Sequence, residues 1–274
     1  MNSSLFDLTG RVFVITGGAG LLGVQHAEAL AECGGIPVLL DINADRAKDA
    51  ARAIADRWRV PAIGLACDIT SQSHVQKVAG KILENFDHVD GLINNAANNT
   101  KMEKGDEYGR TSLEEFPLEQ WQKDFDVAVT GALLCTRVLG RHMANRGRGV
   151  IVNISSDLGI ISPDQRLYQK EGVAEEDQVY KPVSYSITKH ALIGLTKYVA
   201  TYWAHKGVRV NALCPGGIFS GQPEDLVFKL SQLIPMGRMA KADEYRGAIQ
   251  FLCSDASSYM TGSCLVIDGG RTVW

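Results

Sequence analysis

The feature that most restricts the fold is the opening stretch. The apolar run at residues 11–16 stops on a cluster of glycines and gives way at once to helical periodicity over residues 22–33. A strand that breaks on glycine and restarts as a helix is the first half of a β-α-β unit. The same alternation continues along the chain. Apolar, β-rich runs at residues 36–40, 62–66, 89–93, 150–154, 208–213 and 264–267 predict six further strands. Helical patterns over residues 44–57, 71–84, 118–144, 183–204 and 242–253 fall between them. Near-continuous apolar strands interleaved with helices predict a parallel α/β sheet with helices on both faces.

With 274 residues, 45% of them hydrophobic, the chain can bury one substantial core, and no linker or internal repeat divides it. We expect a single domain over residues 1–274, carrying irregular insertions at about 98–117, 157–183 and 219–235. The 28 basic and 31 acidic residues give a formal charge of -3, which argues against nucleic acid as a partner. No apolar run approaches a membrane span, and the first residues lack the apolar centre of a signal peptide. The expectation is a soluble, cytoplasmic protein. Its six cysteines are scattered, without metal-ligand spacing, and are expected as small core residues in a reducing compartment, with no metal site.

Two constellations carry chemistry. The turn Thr16-Gly-Gly-Ala-Gly-Leu-Leu-Gly23 lies between the first strand and first helix, where glycines let a backbone approach a pyrophosphate at a helix N-terminus. Asp41 ends the second strand, placed to accept hydrogen bonds from the adenosine ribose; the alternative is an ordinary strand-end or helix-capping acid. Its charge would repel a 2′-phosphate, and neither the turn nor Ile42 and Asn43 supplies a cation, so NAD is expected rather than NADP. The second constellation is Tyr185 and Lys189, four residues apart on one helical face. A cation beside a phenol favours its phenolate and makes an acid/base device, although a surface helix can carry such a pair by chance.

These motifs, together with Asp68-Ile69, Asn94-Asn-Ala-Ala97, Ser155-Ser156, the run from Asn211 to Gly216 and the Val266-Ile-Asp-Gly-Gly270 ending, resemble the short-chain dehydrogenase/reductase family over nearly the whole chain. The resemblance implies a Rossmann-type, doubly wound sheet of seven strands, a nicotinamide cofactor, hydride transfer at a secondary alcohol carbon, and a homo-oligomer, tetramer or dimer. It makes Tyr185 the catalytic acid/base, Lys189 the lysine that binds the nicotinamide ribose and lowers the tyrosine pKa, and Ser156 the hydroxyl that holds the substrate oxygen. Gly17, Gly20, Leu22 and Gly23 fall in its cofactor fingerprint. Asp68 and Ile69 match the adenine contact, and Asn94 and Ala96 the cofactor side of the fourth strand. Pro215, Gly216, Ile218 and Ser220 match the loop that fixes the nicotinamide.

Three departures stand out. Leu21 occupies the middle fingerprint position, Ala97 the place of a glycine, and Ala128 the place of the asparagine that positions a proton-relay water in this family. Ser156 and Tyr185 are 29 positions apart, about twice the expected gap, and the added residues are charged and tyrosine-bearing. Arg166, Lys170 and Lys181 there are candidates to meet a phosphate or carboxylate, or are simply solvated charges. The polar walls favour a hydroxyl-rich substrate, and the fingerprint and C-terminal region are similar to a subgroup linked to bacterial surface-polysaccharide and flagellin-sugar biosynthesis. The leading expectation is an NAD-dependent oxidoreductase acting on a polar secondary alcohol or ketone, such as a sugar derivative. Ala128 motivates the rival, an NAD-binding sensor; a third reading is a sugar epimerase or dehydratase that recycles its NAD. No membrane partner is expected. The apolar end, Val273-Trp274, points to a subunit contact.

Overall fold

Side chains of the first strand, β1 (Val12–Thr16), alternate between two cores. Val12 and Val14 join one buried cluster, Phe13 and Ile15 the other, as the two-residue period of a strand requires. All five residues are buried, which fits a central strand covered on both faces. The computed structural model describes residues 5–98 and 111–274. Most of the expected 98–117 insertion therefore lies outside the described residues.

After β1 come α1 (Leu21–Glu32), β2 (Ile36–Asp41), α2 (Ala44–Trp58), β3 (Ile63–Ala66), α3 (Gln72–Phe86) and β4 (Gly91–Asn94). A long helix follows as α4 (Leu118–Phe125), α5 (Gly131–Cys135) and α6 (Arg141–Arg146), joined by π-helical turns at Asp126–Thr130 and Thr136–Gly140. The second half comprises β5 (Gly149–Ile154), α7 (Val183–Trp203), β6 (Val208–Pro215), α8 (Glu224–Gln232), α9 (Arg246–Cys253) and β7 (Cys264–Ile267). The strands form one parallel sheet in the order β3-β2-β1-β4-β5-β6-β7. This is the doubly wound, seven-stranded arrangement expected from the alternation.

One core cluster packs β1, β2, β4, β5 and β6 against α3, α5, α6 and α7; the other packs the sheet's opposite face against α1, α2 and α9. The strand order reverses between β1 and β4. In open α/β sheets the crevice at such a reversal, beyond the carboxyl ends of the strands, is where ligands bind. Two local features depart from the expected pattern. The stretch 219–235 contains α8, announced by Pro223 and by Glu224 and Asp225 in its first turn. The helix at 242–253 begins as a 3₁₀ turn, Ala242–Tyr245, before α9.

Candidate active site

The turn after β1 is built around backbone approach. Gly17 has φ of +60°, a conformation that favours glycine. A Cβ at Gly23 would stand 2.2 Å from the Gly17 carbonyl oxygen, so α1 can fold back over the turn only with glycine there. Asn95 locks the turn from β4: its Nδ2 donates to the carbonyls of Thr16 at 3.0 Å and Gly17 at 3.1 Å. The Ala96 amide donates to Thr16 Oγ1 at 3.1 Å. At the α1 N-terminus Gly20 offers no side-chain cap, leaving first-turn N–H groups beside the half-buried Leu22 available to an anion. This cradle fits the pyrophosphate of a dinucleotide.

Asp41 closes the turn from β2, accepting from the amides of Ala19 at 3.2 Å and Asn43 at 3.1 Å. Arg46 was not anticipated here. Its Nη2 donates to the Ala19 carbonyl at 3.0 Å, so a cation does stand at the turn, brought there by the first turn of α2. Asp68 is held below the ordinary carboxylate range by hydrogen bonds from Thr70, and the neighbouring Ile69 is buried in the core. The Asn94 amide nitrogen is engaged inside the fold, donating to Thr136 Oγ1 at 3.1 Å and Asn153 Oδ1 at 2.8 Å. Pro215 ends β6, and the Gly216 amide donates to Ile267 O at 2.9 Å. Ile218 bridges to Ala240, while Ser220 is exposed and accepts from Gln222.

Ser156, Tyr185 and Lys189, distant in sequence, meet where β5 ends and α7 begins. Ser156 is buried, and its hydroxyl interacts with that of Tyr185. Its Oγ also donates to Asp157 Oδ1 at 2.7 Å. The Lys189 ammonium donates to the Ile154 carbonyl at 2.9 Å and stands 5.7 Å from the Tyr185 ring centroid. Burial pushes the Lys189 pKa down to about 8, with Lys181 adding to the effect. Burial also pushes the Tyr185 phenol above its ordinary value; the Ser156 hydrogen bond opposes this and Asp157 reinforces it. The lowering expected from Lys189 is thus opposed by desolvation, which disfavours the phenolate.

Ala128 lies in the π-helical turn that follows α4 and lines a small cavity with Asp124, Lys181, Ser184, Tyr185 and Lys189. At about 20 Å³ the cavity has room for one water. Lys181 enters it from the insertion and places Nζ 4.0 Å from the Tyr185 ring centroid. The other basic candidates lie elsewhere. Arg166 is exposed and paired with Asp164 at 2.7 Å, and Lys170 lines an open surface groove with Glu171 and Glu175.

A cofactor cradle at the strand reversal and a serine-tyrosine-lysine cluster beside it now stand on one scaffold. Residues 18–272 match the family profile described as Enoyl-(Acyl carrier protein) reductase. The cis-4-hydroxycyclohexanecarboxylate dehydrogenase of Sinomonas cyclohexanicum is 34% identical over 266 residues, 96% of each chain. The chain belongs to the short-chain dehydrogenase/reductase family. An NAD-dependent glycerol dehydrogenase of Listeria innocua is 32% identical over 98% of this chain and 96% of its own. Among solved structures, a gluconate 5-dehydrogenase of Burkholderia cenocepacia in complex with NADP and tartrate superposes with a TM-score of 0.83 at 28% identity, covering 98% of both chains. Membership makes the chain an NAD(P)-dependent oxidoreductase.

Three site residues had weak signals in the sequence. Asn95 sits inside the tetrad noted after β4, yet its role as the clamp on the glycine turn depends on the β1–β4 pairing. Asp157 follows Ser156 directly, but nothing local shows that its carboxylate is buried and bound to the serine. Lys181 carried only the signal of a charge in a polar insertion.

Proposed function

We propose that the chain is a cytoplasmic, homo-oligomeric, NAD-dependent dehydrogenase that moves a hydride between the nicotinamide and a polar secondary alcohol or ketone, with sugar derivatives and other polyols as the substrate class. The observation that carries this reading is the convergence of Ser156, Tyr185 and Lys189 beside the glycine turn. The cofactor, when bound, supplies the hydride acceptor or donor. The turn at Gly17, Gly20, Leu22 and Gly23 would hold its pyrophosphate and Asp41 its adenosine ribose. Asp68, Ile69 and Ala96 would flank the adenosine half, with Asn94 contributing through its backbone, and Pro215, Gly216, Ile218 and Ser220 would bracket the nicotinamide.

Oxidation of a carbinol requires its hydroxyl proton to leave as the hydride leaves carbon. Tyr185 is the base for that proton, Ser156 hydrogen-bonds the same oxygen, and Lys189 stabilises the phenolate and binds the nicotinamide ribose. In the reduction direction Tyr185 returns the proton and Ser156 polarises the carbonyl. Ser156 must turn its hydroxyl from Asp157 towards substrate oxygen to do so. The related enzymes named above act, by their names, on glycerol, gluconate and a hydroxylated ring carboxylate, which supports a hydroxyl-rich substrate. The polar loop between β5 and α7 supports the same class.

NAD is preferred because Asp41 faces the turn, although Arg46 supplies a cation nearby. Calorimetric titration should give tighter binding of NAD than NADP, and tighter NADP would overturn this assignment. The reaction itself is tested by offering NAD with a panel of polyols, sugars and hydroxy acids. Formation of NADH with members of the panel is expected, and no turnover with any of them despite NAD binding would favour a cofactor-sensing role. Assembly is supported by the apolar, exposed face of α7, which carries Ile187, Tyr198 and Tyr202, and by exposed Val273 and Trp274. No helix among the described residues is long and apolar enough to cross a membrane. The six cysteines are free.

A further inference from the structure

Tyr185 is a half-buried phenol beside a buried carboxyl, Asp157, and both its desolvation and that carboxyl disfavour its ionised form. Lys189, whose ammonium is bound to a backbone carbonyl, stands 5.7 Å from the ring centroid. Lys181 is nearer, at 4.0 Å, and its ammonium has no hydrogen-bond or ion-pair partner among the described residues. It is also held in place. The Lys181 backbone amide donates to Gln165 Oε1 at 2.9 Å, the Tyr180 amide donates to Thr111 Oγ1 at 2.8 Å, and Pro182 begins the entry to α7. The far end of the insertion is therefore fastened on two sides just where the lysine leaves it.

We propose that Lys181 is a positioning residue for the reaction, a second cation set against Tyr185 that favours its phenolate and that the long insertion before α7 serves to deliver. The proposal rests on the assignment of Tyr185 as acid/base. A cation over an aromatic face is attracted by the ring, and the attraction grows when the phenol becomes anionic. The other charged or titratable groups around the pair do not supply this effect. Asp157 and Tyr168, from the stretch after β5, and Asp124, across the cavity on α4, are acids. Cys214 on β6 faces Lys189, and Arg271 acts on Asp157 and Tyr168. Lys181 and Lys189 are the two cations placed on Tyr185 itself among the described residues.

The consequence is specific to this chain's departure at Ala128. With alanine there, the long helix lines the cavity with Ala128 and Asp124 and brings no cation to it, so the charges beside Tyr185 come from Lys189 on α7 and from Lys181 on the insertion.

The test compares Lys181→Met with Lys181→Arg, because arginine keeps its charge at every accessible pH. Each is made with and without Tyr185→Phe in the full chain saturated with NAD. The ultraviolet difference between each such pair isolates the ionisation of Tyr185 from that of the other tyrosines. The Met variant should ionise Tyr185 about one pH unit higher than the Arg variant. On any polyol that is turned over, the acid limb of kcat/KM should move in the same direction, while NAD affinity changes little. Coincident titrations of the Met and Arg variants would overturn the proposal. If Lys181→Met fails to fold by circular dichroism, Lys181→Gln is read the same way. The titration needs no substrate. Full turnover in the Tyr185→Phe variant would therefore overturn the proposed reaction, whereas coincident titrations overturn the role of Lys181 alone.

Discussion

Asp157 is the residue whose chemistry most qualifies the role proposed for Ser156. It is buried, and desolvation raises its carboxyl above the ordinary value even though Ser156 and the Leu158 amide donate to it. A carboxyl raised by folding holds its proton more tightly in the native chain than in the unfolded one. Its contribution to stability is therefore complete below the unfolded value and is lost as pH rises through the folded value. Asp157→Asn keeps an acceptor for Ser156 and Leu158 but carries no charge. Thermal unfolding should show this variant gaining stability over the parent as pH is raised from acid to neutral, with the gain vanishing on acidification. A constant offset between the two chains across that range would mean that the Asp157 charge is not the cause. The same substitution weakens the acceptor on Ser156, so its hydroxyl turns more readily to a substrate oxygen.

At the scale of elements, the glycine turn after β1 ties two neighbouring strand ends and the first helix together. Asn95 binds it from the end of β4, Asp41 from the end of β2, and α1 rests on Gly17 through Gly23. Gly23→Ala puts a methyl within 2.2 Å of a backbone oxygen that cannot move aside without shifting the turn. We expect about 2 kcal/mol or more of lost stability in denaturant unfolding, together with loss of NAD binding. Unimpaired NAD affinity in that variant would contradict the cradle. The β-α alternation and the places of all seven strands were legible because apolar runs buried on both faces leave a strong signal. The short helix α8 was not. It is amphipathic over barely two turns and buries no residue fully, so its apolar positions resembled an irregular loop. The contact of Arg46 with the turn and that of Lys181 with the Tyr185 ring were not legible for another reason. Both arise between segments: nothing local marks Arg46, and the sequence around Lys181 suggests only a loop charge, either solvated or set to meet a phosphate or carboxylate.

At the scale of the whole molecule, α7 turns an apolar stripe outward. On α7, Ile187, Tyr198 and Tyr202 are exposed and lie within a narrow sector of the helix at its 3.6-residue repeat, with Tyr198 and Tyr202 stacked at 6.0 Å. An apolar stripe of this kind on the helix that carries Tyr185 and Lys189 is suited to a second copy of the chain. Tyr198→Asp combined with Tyr202→Asp should reduce the mass seen by light scattering to that of a smaller assembly, with the circular dichroism of the parent retained. An unchanged mass would place the contact elsewhere. The same helix carries Tyr185 and Lys189, the residues proposed for the chemistry, so loss of the outer contact should also loosen the site and lower kcat.

The catalytic account stands on Tyr185, and the most direct measurement is single-turnover hydride transfer by the Tyr185→Phe variant with NAD bound. Phenylalanine keeps the ring and its packing while removing the hydroxyl proposed to take the carbinol proton. The account predicts a rate lower by about a thousandfold with NAD affinity nearly unchanged. A Tyr185→Phe chain that forms NADH within a few fold of the parent rate would contradict it.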